Sequence, residues 1–247
     1  MHPPDRSRHR PFSSNRARER YGLLLGAIIA AFAVQGIASP GRWEEMVVSV
    51  LLAATLLLAL RATDAEPWVM LPAALLAGAV VLFSVIEAAI GNVDSAPSRI
   101  ANLLLVTLAP PAIVVGIVRS LRARNQVTVE AVFGVLCLYI LFGMFFAFAY
   151  GSIDRLGGAF FANGVGATVA RCLYYSFATL TTVGYGDLTA VSNLGHTLSV
   201  AEALLGQVYL VTVVSLIVGN LGRSRRAVSD PVIQSPPGGA GDSSPGE

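Results

Sequence analysis

The fold is decided by the stretch Thr181-Thr182-Val183-Gly184-Tyr185-Gly186-Asp187, which is polar and rich in glycine within an otherwise apolar sequence. It lies between a short run, residues 171–180, and a long apolar run, residues 198–221. Irregular backbone is tolerated at membrane depth only where it is buried in protein or lines a wet cavity. Gly184 and Gly186 can adopt positive φ at little steric cost. A backbone of alternating handedness turns successive carbonyl oxygens to one side, and four such strands would form rings of oxygen that replace the water around a cation.

This stretch resembles the selectivity filter of the potassium channels, in particular the prokaryotic type with six transmembrane helices. The preceding residues, Tyr174-Tyr175-Ser176-Phe177-Ala178-Thr179-Leu180, resemble the pore helix of that family, including its aromatic pair. The resemblance is strong over residues 171–222 and rests on topology alone elsewhere. It implies potassium as the only metal, bound at the filter, and no cofactor. The implied potassium ligands are Thr182, Val183, Gly184, Tyr185 and Gly186.

The resemblance also implies roles for residues around the filter. Thr181, Tyr174 and Tyr175 would support the filter from the pore helix. Four copies of Asp187 would concentrate cations at the outer mouth by Coulomb attraction. Ala178 departs from those family members that have a glutamate at this position paired with the aspartate, so behaviour that depends on that pair is in doubt.

Two residues of the last apolar run are singled out. Gly206 matches the gating-hinge glycine of the family, and a glycine lowers the cost of bending a helix. The alternative is that Gly206 only allows close helix packing. Glu202 is unusual in such a helix and is expected to be buried behind the filter, with a hydrogen-bond partner that the sequence does not identify.

The composition is that of an integral membrane protein. Of the 247 residues, 54% are hydrophobic and 13% are charged, whereas about a quarter are charged in a typical soluble domain. Six apolar runs are close to the ~20 residues that cross the hydrocarbon core as a helix. They are residues 21–38, 43–60, 68–90, 100–118, 131–150 and 198–221. The predicted fold is an all-α membrane protein with six transmembrane helices, and with a re-entrant pore helix and filter between helices five and six.

The chain divides into five predicted parts. They are a basic disordered cytoplasmic tail (residues 1–20), a peripheral four-helix bundle (21–118), an inner linker (119–130), the pore domain (131–222) and a second disordered cytoplasmic tail (223–247). The tails carry too little apolar content to bury a core. The first tail is interpreted as a cytoplasmic anchor in preference to a secretory signal or a nucleic-acid-binding arm. The linker is interpreted as a solvated loop, or else as a short inner-surface helix that couples to the pore or binds anionic lipid.

Orientation follows from the distribution of arginine, because cytoplasmic loops are enriched in positive charge. With the amino terminus inside, 13 of the 17 arginines lie in inner segments and four lie in outer segments. Both termini are therefore predicted to be cytoplasmic, with the pore loop entering from outside. The expected location is the plasma membrane, of a bacterium.

The fourth apolar run is the position of the voltage sensor in voltage-gated relatives. A voltage sensor there would carry arginines at every third position through the membrane. Residues 100–118 contain none, and Arg119, Arg122 and Arg124 follow the run. Pro110-Pro111 in its middle is expected to kink the helix. The sequence therefore predicts a channel without a recognisable voltage sensor.

Several polar and aromatic residues outside the filter have structural interpretations. Glu87 is expected to pair with Arg99, because a buried acid in a membrane usually has a partner. Phe160-Phe161, in the loop of residues 151–170, is expected to rest at the membrane interface of an exposed turret. His196 is expected to be a surface or hydrogen-bonded histidine.

One pore loop per chain predicts a cyclic homotetramer in the lipid bilayer, since a closed ring needs four. The predicted function is passive, selective potassium transport, with no enzymatic chemistry and no nucleic-acid partner. One alternative is a weakly selective cation channel, because GYG-type filters also occur in channels that discriminate poorly. A second alternative, from another class, is a potassium-uptake transporter subunit, although such proteins carry four degenerate pore loops in one chain. The sequence does not indicate what opens the channel.

Overall fold

The computed structural model describes residues 12–37, 42–62, 67–91, 95–124 and 129–229. Its elements in chain order are α1 (Phe12–Ile37), α2 (Arg42–Ala62), α3 (Pro67–Ile90), α4 (Ala96–Arg124), α5 (Val129–Gly157), a 3₁₀ turn (Ala162–Gly164), α6 (Val169–Leu180) and α7 (Asn193–Ser229). Across these described ranges the architecture is helical, and the one isolated β-bridge joins Phe161 to Ala190.

Four helices in the described part of the chain are long and apolar enough to cross a membrane. They contain the segments Glu19–Ile37, Pro67–Ile90, Ala96–Val115 and Val132–Gly157. The apolar segment of α2, Met46–Ala62, is shorter. The predicted sixth span, residues 198–221, lies within α7. The fold is therefore that of an all-α membrane protein, as the sequence predicts.

The first four helices pack into a bundle against α5. Helix α2 contacts α1, α3 and α4, while α1 and α4 both contact α5. A buried polar chain joins three of these helices: Ser84 donates to Ser49 at 2.8 Å, and Ser49 donates to the amide oxygen of Asn102 at 2.9 Å. Small polar side chains of this kind hydrogen-bond across helices where no water is available.

The observed helices extend into segments that the sequence assigns to tails and to the linker. Helix α1 begins at Phe12, so residues 12–20 are helical and not part of a disordered tail. Residues 119–124 continue α4, so they form neither the predicted loop nor a separate surface helix. Helix α7 continues to Ser229. The predicted disorder of residues 1–11 and 230–247 concerns segments outside the described residues.

Helix α4 differs from its predicted span at both ends and contains Pro110 and Pro111 without interruption. Because it begins at Ala96, it includes Arg99, which is buried near the start of the helix. The Arg99 guanidinium donates to the carbonyl oxygen of Ala167 at 2.7 Å and lies 4.0 Å from the sulfur of Cys172. Arg99 therefore links the peripheral bundle to the segment that leads into α6. Glu87 accepts a hydrogen bond from Ser95 at 2.6 Å, and its pairing with Arg99 stays a prediction.

Candidate functional site

Helix α6 positions the predicted filter. It has 12 residues, which at ~1.5 Å per residue is well short of the ~30 Å hydrocarbon core. Thr168 begins the helix as a cap, and its side-chain oxygen accepts from the backbone N–H of Arg171. The face that carries Cys172, Ser176 and Leu180 is buried. This amphipathic pattern fixes the rotation of α6 and places its carboxyl end at Thr181.

The backbone after α6 alternates in handedness. The φ angles of Thr182, Gly184 and Gly186 are +58°, +52° and +79°. Val183 and Tyr185, between them, are not among the residues of positive φ. Positive φ at Thr182 is costly for a residue with a Cβ and persists only where its surroundings hold it. The alternation that the glycine spacing predicts is therefore present.

Hydrogen bonds hold the start of this segment against α6 and α7. The N–H of Gly184 donates to the carbonyl of Ala178 at 3.0 Å, and the N–H of Thr182 donates to the carbonyl of Thr179 at 2.9 Å. The Thr182 hydroxyl donates to the carbonyl of Thr181 at 2.7 Å and accepts from the Gln207 amide at 2.9 Å. Gln207 lies 25 residues after Thr182, so the sequence motif alone gives no sign of this contact.

The two tyrosines of α6 take different positions. The ring of Tyr174 stacks on that of Tyr185, with centroids 6.0 Å apart and planes 9° apart. Desolvation, followed by a hydrogen bond with Asp187 and its charge, raises the pKa of the Tyr174 hydroxyl. Tyr175 instead points behind the helix, where its hydroxyl lies 2.7 Å from that of Ser199. Within one chain, the structure brings Tyr174 and Asp187 to the filter but does not bring Tyr175 there.

The sequence predicts that Phe160 and Phe161 rest at the membrane interface. In the structure both side chains are instead buried within the protein. The ring of Phe160 stacks on Tyr150 at 4.7 Å, and the ring of Phe161 meets Tyr175 edge-on at 5.3 Å. Backbone hydrogen bonds also tie this segment to residues 189–191, on the far side of the filter. An aromatic core of Tyr150, Phe160 and Phe161 therefore packs against α6 at Tyr175. His196 is exposed and hydrogen-bonded to the Ala190 carbonyl at 2.8 Å, as expected.

Gly206 lies directly against the end of α6. A Cβ at this position would be 2.1 Å from the carbonyl oxygen of Leu180, far inside van der Waals contact. The close-packing interpretation of Gly206 therefore has direct support, while its role as a gating hinge stays a prediction.

Glu202 is fully buried, and its partners come from two other helices. The Tyr150 hydroxyl of α5 donates to one carboxyl oxygen at 2.7 Å, and Ser176 of α6 lies in close hydrogen-bonding contact with the other. Tyr150 is 52 residues away in sequence, and no sequence spacing identifies it. Cys137 and Cys172 are both buried, and neither takes part in a disulfide.

The described side chains offer no cluster of three or more His, Cys, Asp or Glu that could hold a metal ion. Backbone carbonyl oxygens are a different kind of ligand, since rings of them can replace the hydration shell of a monovalent cation. Residues 182–186 of one chain are predicted to supply one strand of such a ring. In the single chain, the side chains of Val183 and Tyr185 in this segment are 54% and 70% exposed.

Comparison with known proteins gives one result for the pore region. No curated protein and no solved structure matches the chain significantly. Residues 134–222 match the family model described as "Ion channel", and these residues run from within α5 to within α7 and contain α6 and the predicted filter. The match covers the part of the chain that carries the alternating backbone, and it supports an ion channel as the function.

Proposed function

We propose that the chain forms a potassium-selective channel in which residues 182–186 line the ion path. The observation that carries the proposal is positive φ at every second residue of this stretch, directly after the short helix α6. This alternation orients successive carbonyls to one side, which is the arrangement that a dehydrated cation requires. The match of residues 134–222 to ion channels supports the same interpretation.

The proposed assembly is a homotetramer with cyclic symmetry, because each chain supplies one filter strand and a closed ring needs several copies. Exposed apolar side chains along α7 support it. Val200, Leu204, Val208 and Val211 recur at helical spacing and are each more than 60% exposed in the single chain. This face lies opposite the face that carries Glu202 and Gly206, and neighbouring chains would cover it.

The proposed topology places six helices across the plasma membrane, with α6 re-entrant from the outside and both termini cytoplasmic. The support is the excess of arginine in the proposed inner segments. The outer-facing segments include Arg171, whose side chain donates to the carbonyl of Gly166 at 3.0 Å beside the filter loop.

The channel is proposed to lack a voltage sensor. Within residues 96–118 of α4, Arg99 is the only arginine, and its contacts with Ala167 and Cys172 fix it at the outer end. A charge held in place moves little in the membrane field. A conductance that rises steeply with depolarisation, and that loses its gating charge when Arg119 and Arg122 are neutralised, would contradict this.

The test is the reversal potential of the purified protein in liposomes under opposing potassium and sodium gradients. The informative variants are Thr182→Ala and Gly184→Ala, with Gly164→Ala as the matched control. Gly164 also has positive φ, +70°, and open space around its Cα, so it carries the same backbone strain outside the filter. A potassium preference in the wild type and in Gly164→Ala that collapses in the filter variants is expected.

Other outcomes would favour the other functions. Flux without potassium preference in the wild type would indicate a weakly selective cation channel. A monomeric functional unit in mild detergent would favour a transporter subunit.

A further inference from the structure

Glu202 lies at the junction of three helices and has no exposed surface. It belongs to α7, while its hydrogen-bond partners Tyr150 and Ser176 belong to α5 and α6. The Ser176 hydroxyl has a second contact, with the carbonyl oxygen of Gly143 on α5 at 2.6 Å. These contacts join the helix before the filter to both helices that surround it.

The number of protons available to the hydrogen bonds among Tyr150, Ser176, Gly143 and Glu202 determines whether Glu202 is protonated. Two oxygen atoms at 2.6 Å need a proton between them, and the Gly143 carbonyl can only accept. Ser176 has a single hydroxyl proton, which this contact uses. Ser176 is also in hydrogen-bonding contact with Glu202, and because the hydroxyl proton is already used, the Glu202 carboxyl supplies the proton of this second contact. The other oxygen of Glu202 accepts from Tyr150.

The charges around Glu202 also favour its protonated, neutral state. The titratable groups near it are the phenols of Tyr139 and Tyr150 from α5, and the ring of Tyr175 from α6 lies next to that of Tyr150. None of these carries a positive charge. No arginine or histidine of the described residues forms an ion pair with Glu202. A buried carboxylate without a neighbouring cation is much less stable than its neutral, protonated form.

We propose that Glu202 is a proton-binding site, and that its bound proton fastens α6 to α5 and α7 behind the filter. This inference rests on the proposed channel function only for its effect on ion flow. When the proton leaves, Ser176 has to turn its hydroxyl toward the carboxylate, and the contact with Gly143 is lost. The new charge lies one helical turn from Gly206, which packs against the carbonyl of Leu180 at the start of the filter segment. Removal of the proton therefore loosens the support of the filter and reduces potassium current.

The protonation state can be tested directly by infrared spectroscopy of the full-length protein in lipid. The wild-type spectrum minus that of Glu202→Gln is expected to contain the C=O stretch of a protonated carboxyl group. Glutamine keeps both contacts, because its amide N–H donates to Ser176 and its oxygen accepts from Tyr150. In Tyr150→Phe the same band is expected at higher frequency, since the C=O loses a hydrogen bond. Carboxylate stretches in place of the C=O band would overturn the proposal.

Glu87→Gln is the matched control, because Glu87 is another buried acid, on α3 and away from the filter. It should leave the band assigned to Glu202 unchanged. A band that disappears in Glu87→Gln and persists in Glu202→Gln would show that Glu87, and not Glu202, carries the proton. That result would overturn the proposal.

The effect on ion flow is tested by potassium current from mildly acidic to alkaline pH. A reversible loss of wild-type current at alkaline pH is expected, in parallel with loss of the infrared band. Glu202→Gln should keep its current across the range. His196→Gln should retain the wild-type loss, because His196 lies outside the cluster. A Glu202→Gln channel with the wild-type pH dependence would overturn the regulatory part. If no variant conducts at any pH, the proposed function fails, while the infrared band still decides the proton site.

Discussion

At the scale of single residues, the site depends on backbone contacts more than on side-chain chemistry. The filter motif is readable in the sequence because its glycines alternate with larger residues, and the structure has positive φ at Thr182, Gly184 and Gly186. The hydrogen-bond partners of the polar groups cannot be predicted from the sequence. Tyr150 contacts Glu202, and Gln207 contacts Thr182, only after the helices have packed.

Gly206→Ala separates close packing from hinge bending. The added Cβ would lie 2.1 Å from the Leu180 carbonyl, and relief of such a clash in a packed core costs about 1–3 kcal/mol. We therefore expect a lower thermal midpoint of the purified channel together with reduced current. Gly26→Ala, a helix glycine with open space around it, is the control and should not lower the midpoint. A Gly206→Ala channel of wild-type stability with altered open probability would support the hinge and contradict the packing interpretation.

At the scale of elements, hydropathy predicts where the helices lie. It does not predict where each helix ends, or whether the side chains of a loop are buried or exposed. Aromatic residues in a loop look the same whether they rest at an interface or fill a core, so the burial of Phe160 and Phe161 was not foreseeable. The sequence predicts the fourth span over residues 100–118, but α4 begins at Ala96 and therefore includes Arg99. That arginine contacts the segment before α6.

Gly151→Ala tests whether Arg99 couples α4 to the pore region. A Cβ at position 151 would be 1.9 Å from the Nη1 atom of Arg99. The guanidinium would have to leave its buried place and break the hydrogen bond to Ala167, at a cost of about 1–3 kcal/mol. We expect a lower thermal midpoint, and a much smaller effect of Gly151→Ala in the Arg99→Ala background. Additive effects in this double-mutant cycle would show that the two positions are not coupled.

At the scale of the whole molecule, the single chain leaves the filter and one face of α7 uncovered. The sequence predicts assembly from the single pore loop, and the exposed residues Val183 and Tyr185 are consistent with that expectation. What the sequence could not supply is the surface through which copies would meet, because apolar residues toward lipid and toward a neighbouring chain have the same chemistry.

Matched bulky substitutions distinguish these two environments. Val200 on α7 and Leu82 on α3 are both 61% exposed in the single chain. If neighbouring chains cover α7, Val200→Trp should overpack the interface and shift the mass in native mass spectrometry from tetramer toward monomer. Leu82→Trp should remain tetrameric, because lipid accommodates the larger ring. Equal masses for the two variants would contradict the proposed interface.

We propose that residues 182–186 bind potassium, and ion-dependent stability tests this binding without requiring the channel to open. A ligand bound by the folded assembly stabilises it, by about 2.7 kcal/mol at 100 times its dissociation constant. The measurement is the thermal midpoint of the purified assembly in potassium and in sodium at equal ionic strength. We expect a higher midpoint in potassium for the wild type and for Gly164→Ala, and no difference between the ions for Gly184→Ala. Equal midpoints of the wild type in the two ions would contradict the claim.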